Sequence, residues 1–172
     1  MKKMITASNY EVIPLDLRTN VRFYTSVDFG SYVPPHWHDA IEILYLQEGE
    51  LKVNTESTSR NLHSGQCTLI QPNKVHSTLC TRPNKAIVFQ IPLLFLEKFV
   101  SDAAQLTFQL EGTPRQASQP EWDRQKTQIN QFKEKLTQMQ LIMDTKPDGA
   151  PLLFNTLLFD VLYQLYHNFS FG

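Results

Sequence analysis

Residues 30–49 read GSYVPPHWHDAIEILYLQEG and place two histidines and a glutamate at positions 36, 38 and 42. Side chains in a strand alternate between its faces with a period of two. The three positions share parity, so an unbroken strand through them turns His36, His38 and Glu42 to one side and Trp37 to the other. Two imidazoles and a carboxylate converging on one spot make either a metal site or a polar ligand site. A second stretch, residues 65–76, GQCTLIQPNKVH, adds His76 behind a glycine turn and a proline.

Outward from this stretch the chain reads as short strands. Residues 21–29 alternate cleanly, with Val21, Phe23, Val27 and Phe29 on one face and Arg22, Tyr24 and Asp28 on the other, the pattern of a half-buried strand. Residues 41–47 form the next strand, and Glu48-Gly49-Glu50 reads as a tight turn into 51–55. Strands follow over 57–62, 67–71, 75–81 and 86–91, with turns at His63-Ser64-Gly65, Pro72-Asn73-Lys74 and Arg82-Pro83-Asn84. Strands this short, with turn signals about every ten residues, indicate an antiparallel sandwich or barrel. Leu44 and Leu46 share the parity of Glu42 and line the barrel interior, and Cys80 shares that of His76.

The pattern changes at Pro92. Residues 93–100 read as a short helix opened by a proline, and 111–120 as a polar linker. In residues 122–143 the apolar positions Ile129, Phe132, Leu136, Met139 and Met143 recur at intervals of three, four, three and four, a seam on an otherwise polar helix. Residues 150–169 are far more apolar, so that helix needs cover on most of its circumference. The expected order is a 1–20 arm, a 21–91 barrel and a 92–172 helical segment packed on the barrel, mainly β with two or three helices after it. An exposed seam would leave a patch larger than soluble monomers tolerate. It packs either on the last helix or on a second subunit.

Composition narrows the function. The 172 residues are 41% hydrophobic and 19% charged with a formal net charge of −1, which supplies no basic excess for nucleic acid. No apolar run approaches the ~20 residues of a membrane span, and residues 1–20 contain no continuous apolar core of an export signal. The expected location is the cytoplasm, with Cys67 and Cys80 as reduced thiols. No nucleophile elbow, phosphate loop or zinc-finger spacing is present. His63 and His167 have no evident partner and read as solvated.

Both stretches resemble the cupin superfamily. Its first motif is a glycine, five residues, His-x-His, three or four residues, a glutamate, six residues and a glycine, and this chain matches every fixed position. In the second motif Gly65 and His76 keep the family's separation. Pro72 sits one place late, Lys74 stands where glycine is common, and Cys80 where asparagine is common. The resemblance implies a jelly-roll (double-stranded β-helix) barrel. It makes His36, His38, Glu42 and His76 similar to the metal set of catalytic cupins, a donor set suited to Zn, Ni, Fe or Mn.

Barrel followed by helices, with the phrases HWHDAIEILYLQEGEL and GQCTLIQPNKVHS, resembles the regulatory domain of AraC-type bacterial transcription regulators. That resemblance implies a barrel that senses a small-molecule effector such as a sugar, and a homodimer formed along Ile129, Phe132, Leu136, Met139 and Met143. DNA would be bound only through a helix-turn-helix domain that these residues lack. The effector pocket would comprise His36, His38, Glu42 and His76, with Trp37 or Tyr45 packed on a sugar face and no cofactor required. A metal-dependent cupin enzyme, either a dioxygenase or a sugar isomerase, and a stand-alone sugar-binding module are the competing readings.

Overall fold

The computed structural model describes residues 9–110 and 117–172. Residues 1–8 of the expected arm and 111–116 of the expected linker lie outside the described residues. Strands β1 (Arg22–Asp28), β2 (Tyr32–His36), β3 (Ala40–Thr55), β4 (Ser59–His63), β5 (Cys67–Ile70) and β6 (His76–Pro92) form the barrel. Helix α1 (Leu93–Glu97), a two-residue ladder of β7 (Thr107–Phe108) with β8 (Ser170–Phe171), and the long helices α2 (Gln119–Thr145) and α3 (Ala150–Phe169) complete the chain.

Two long bent strands organise everything. β3 and β6 pair antiparallel along their lengths, from Ala40 opposite Pro92 to Thr55 opposite His76. The first half of β3 also pairs with β5 and its second half with β4, while the second half of β6 pairs with β1 and its first half with β2. The result is two four-stranded layers, β1-β6-β3-β5 and β2-β6-β3-β4, that share their central strands and fold over one another as a jelly roll.

The bend corrects two expected turns. Glu48-Gly49-Glu50 and Arg82-Pro83-Asn84 lie within continuous strands, face to face, where the β3–β6 register shifts repeatedly between Leu46 and Lys52. Gly49 has φ +83°, and a Cβ there would stand 2.0 Å from the Pro83 carbonyl oxygen. The glycine therefore marks a bulge that turns the barrel's corner, a role that shares its local signature with a hairpin. Gly49→Ala is expected to destabilise the domain by about 2 kcal/mol or more, measured by urea unfolding. An unchanged midpoint would mean that the corner does not need the left-handed backbone.

Strand parity divides the core in two. Leu44, Leu46, Leu51, Val53, Leu62, Ile70, Ala86 and Val88 fill the barrel interior. Val21, Phe23, Ile41, Ile43, Ile87, Phe89 and Ile91 face outward against α1, α2 and α3. Both faces of central β3 and β6 are covered, which explains why 41–46 and 86–91 are apolar at both parities apart from Glu42 and Gln90.

Helix α2 starts earlier than the apolar seam indicates. Ser118 accepts from the Glu121 amide while the Ser118 amide donates to Glu121 Oε2, and Pro120 sits in the first turn. Residues 146–149 reverse the chain through left-handed Lys146 and Gly149 into α3. The seam on α2 closes against this helix hairpin's own partner and the sheet. Phe132, Leu136 and Met139 are fully buried, and the Phe132 ring meets Phe169 edge-on at 5.5 Å. Ile129 packs at the margin of the same core, and Met143 is 40% exposed. Phe132, Leu136 and Met139 of the expected dimer seam are thus internal core, because α3 supplies the missing apolar surface.

Candidate metal and ligand site

His36 is the last residue of β2 and pairs in register with His76, the first of β6. His38 lies in the connection 37–39, and Glu42 is the third residue of β3. The chain therefore does not run through 36, 38 and 42 as one strand. β2, which pairs only with β6 and carries Pro34 and Pro35, ends at His36, as suits an edge strand with missing amide donors. The four side chains still converge. Imidazole centroids are 4.2 Å apart for His36 and His76, 5.0 Å for His38 and His76, and 5.9 Å for His36 and His38. One ring nitrogen of each histidine lies within 4.8 Å of the others.

All three rings are held the same way. Nδ1 of His36 lies 2.9 Å from the Pro34 carbonyl, Nδ1 of His38 3.2 Å from that of Ala40, and Nδ1 of His76 2.8 Å from that of Lys74. A carbonyl only accepts, so each Nδ1 carries the proton and each Nε2 is left to bind something else. This is the arrangement in which outer hydrogen bonds fix the tautomer of a metal-binding histidine. Nε2 of His38 and of His76 is buried without an aligned hydrogen-bond partner. Glu42 Oε2 approaches them at 3.5 and 2.8 Å as an ion-pair contact. Glu42 Oε1 accepts from Gln90 Nε2 at 3.0 Å. Three clustered imidazoles whose Nδ1 atoms are held by carbonyls, with Glu42 against the Nε2 of His38 and His76 and Glu11 against that of His36, offer donors of the kind that suit a divalent first-row ion.

The charges are strongly coupled. Burial opposes ionisation of Glu42, but hydrogen bonding and charge from His38 and His76 outweigh it and hold the carboxyl well below its usual range. Burial likewise opposes protonation of His76, but the Glu42 carboxylate holds its pKa above the ordinary value. The Glu42 carboxylate favours a proton on Nε2 of His76, and a metal bound there would compete with that proton. The depressed Glu42 pKa stabilises the fold above 4.5, and this is lost as pH falls through the folded-state value. The raised His76 pKa stabilises it below 6.5, and this is lost as pH rises through the folded-state value. Metal-free protein is expected to have its pair-derived stability maximal between 4.5 and 6.5, whereas stabilisation by added zinc should grow as pH rises through this range and beyond. Melting curves with and without zinc across the range check both trends. Equal zinc stabilisation at both ends would exclude coordination through His76.

His36, His76 and Glu42 open onto a cavity of about 400 Å³ inside the barrel, lined also by Arg22, Tyr24, Thr78, Asn84 and Gln90, while His38 lies behind them. Gln90 stands opposite Arg22 on one side and Glu42 on the other, so the three form a polar row across β1, β6 and β3. Arg22 and Gln90 were not legible as site residues by motif. The available signal was parity: Arg22 shares its strand face with Tyr24 and Asp28, and Gln90 interrupts an apolar strand.

Two expected pocket residues lie elsewhere. Trp37 packs on Tyr10 with ring centroids 4.7 Å apart and does not line the cavity. Tyr45 has the opposite parity to Glu42, so it faces the helices, where Lys133 Nζ sits 5.9 Å from its ring centroid. Cys80 and Cys67 are both buried. His63 is exposed beside Glu50, and His167 stacks on Tyr163.

Residues 23–92 match the cupin domain family Cupin_2, and they form a cupin domain. Among solved structures, an RmlC-like cupin from Shewanella frigidimarina NCIMB 400 is 23% identical, over 43% of this chain and 68% of that one, with a TM-score of 0.40. KdgF from Halomonas sp. is 20% identical over 48% and 76%, with a TM-score of 0.41. The DMSP lyase DddQ from Ruegeria pomeroyi DSS-3 is 28% identical over 42% and 39%, with a TM-score of 0.39. A comparison with curated protein sequences gives no significant match. No helix among the described residues is long and apolar enough to cross a membrane.

Proposed function

We propose that this chain is the effector-sensing domain of an AraC-type transcription regulator, with the effector held in the barrel beside a divalent metal. The observation that carries this reading is the two-sidedness of β1, β3 and β6. Their inward side chains line the cavity and their outward ones hold α2 and α3. Any ligand that shifts these strands acts on the helices directly. The phrases shared with AraC-type regulators around His36 and His76 point the same way. In this reading a separate DNA-binding domain contacts DNA. The homodimer uses the outer face of α3, where Phe159, Tyr163 and Tyr166 are exposed beside Phe99. His36, His38, His76 and Glu42 would hold the metal, which would supply a Lewis acid for a ligand oxygen.

The test is thermal shift against metals, sugars and small organic acids, followed by gel shifts of the gene product with a DNA-binding domain present. The expected result is a ligand that raises the melting temperature and changes operator affinity. A stabilising ligand without effect on DNA removes the regulator role. Three clustered imidazoles with carbonyl-held Nδ1 atoms favour one competing reading, a metal-dependent enzyme. Turnover of a bound ligand by metal-loaded protein would establish it.

A further inference from the structure

Arg22 is the only lysine or arginine lining the cavity among the described residues. Its guanidinium is set in place from three sides. It lies 4.4 Å over the Tyr24 ring, Nη1 is 3.4 Å from Gln90 Oε1, and Nη1 is 3.6 Å from Glu11 Oε1. The other oxygen of the same Glu11 carboxylate lies 3.2 Å from His36 Nε2. Glu11 arrives from outside the barrel. Its segment is tied to the 37–39 connection by the Glu11 amide donating to the Trp37 carbonyl, the Trp37 amide donating to the Asn9 carbonyl, and the Tyr10–Trp37 ring contact. One carboxylate thus spans the gap between the cavity's cation and an Nε2 of the histidine cluster, and it is 36% exposed. The remaining acids of the cavity are committed elsewhere, Glu42 to His38, His76 and Gln90, and Asp28 to Ser31 and Gly30.

We infer that the cavity takes a small organic acid whose carboxylate replaces Glu11 between Arg22 and His36. The inference rests on the small-molecule reading above and names the class of ligand. A guanidinium stacked on a tyrosine and braced by an amide is preorganised for a planar carboxylate, because its fork of N–H donors matches two oxygens. The wall beyond it, with Tyr24, Thr78, Asn84 and Gln90, offers hydrogen bonds for hydroxyl or carbonyl groups. The volume of about 400 Å³ suits a hydroxy acid or a sugar acid. Glu11 then acts as an internal stand-in for the ligand, and the acid must outcompete it.

Calorimetric titration of the 172-residue chain, with and without stoichiometric zinc, tests this on matched pairs: lactate and lactamide, succinate and succinamide, D-glucuronate and D-glucose. At least one acid is expected to bind about tenfold tighter than its neutral partner, a difference of about 1.4 kcal/mol. Arg22→Gln should erase that preference, Arg22→Lys should retain part of it, and Glu11→Gln should tighten acid binding severalfold by removing the competitor. Circular dichroism confirms that each variant is folded. A preference that survives Arg22→Gln overturns the inference, as does equal or tighter binding of the neutral partners. The second of these outcomes leaves the small-molecule reading standing. Silence from every probe, acid and neutral alike, counts against both.

Discussion

Leu136→Glu is expected to unfold the domain rather than to split a dimer. Leu136 is fully buried between α2, α3 and the outer face of the sheet. Loss of its packing costs about 2–5 kcal/mol. A carboxylate stranded there without a partner adds several more. The sum rivals the whole stability of a typical domain, about 5–15 kcal/mol. Leu136→Met, which keeps volume and apolarity, should cost under about 1.5 kcal/mol and fold normally. Circular dichroism and sedimentation distinguish the outcomes. A well-folded monomeric Leu136→Glu protein would show that the seam meets a second subunit after all.

His76→Ala is expected to have two large effects with different causes. Metal affinity should fall at least about 100-fold, which corresponds to about 2.7 kcal/mol, because one of three imidazole donors is gone. The metal-free protein should also lose about 3 kcal/mol of stability, since Glu42 then keeps a buried charge without its closest partner at 2.8 Å. Removing the carboxylate as well, in His76→Ala with Glu42→Gln, should restore part of that stability but none of the metal binding. Metal analysis after dialysis and chemical unfolding read the two effects separately. Retained stoichiometric metal in His76→Ala would move the candidate centre elsewhere.

Much of the barrel was legible because its signals are local. Alternation marks the 21–29 strand, and motif spacing groups His36, His38, Glu42 and His76, although His36, His38 and Glu42 do not share one strand. The chain leaves β2 at His36 and re-enters the sheet at Ala40. The convergence comes from cross-strand pairing of His36 with His76, which spacing along one segment does not contain. Gly49 illustrates a second limit. A glycine between polar residues marks positive φ, but whether the chain reverses or merely bends depends on Pro83 standing opposite, a contact 34 residues away. On α2 the three-four spacing named the buried face correctly and left its partner open, since amphipathic periodicity carries no address. Tyr45 departs from its expected place for a simpler reason: its parity opposes that of Glu42, which turns it to the helices.

The joint between Gln140 and the sheet sets a tolerance for the whole molecule. Gln140 donates to Thr25 Oγ1 at 2.8 Å and to Gln47 Oε1 at 2.9 Å, and Gln47 donates back to Gln140 Oε1 at 2.8 Å. Thr25 sits between Tyr24 and Ser26, both of which line the cavity. A strand advances about 3.3 Å per residue, while a hydrogen bond is lost within about half an ångström of stretch. β1 therefore has less than a fifth of a residue of free travel beneath α2. Thr25 thus ties the cavity-lining strand to α2, and a displacement of β1 at this point costs that hydrogen bond unless Gln140 follows.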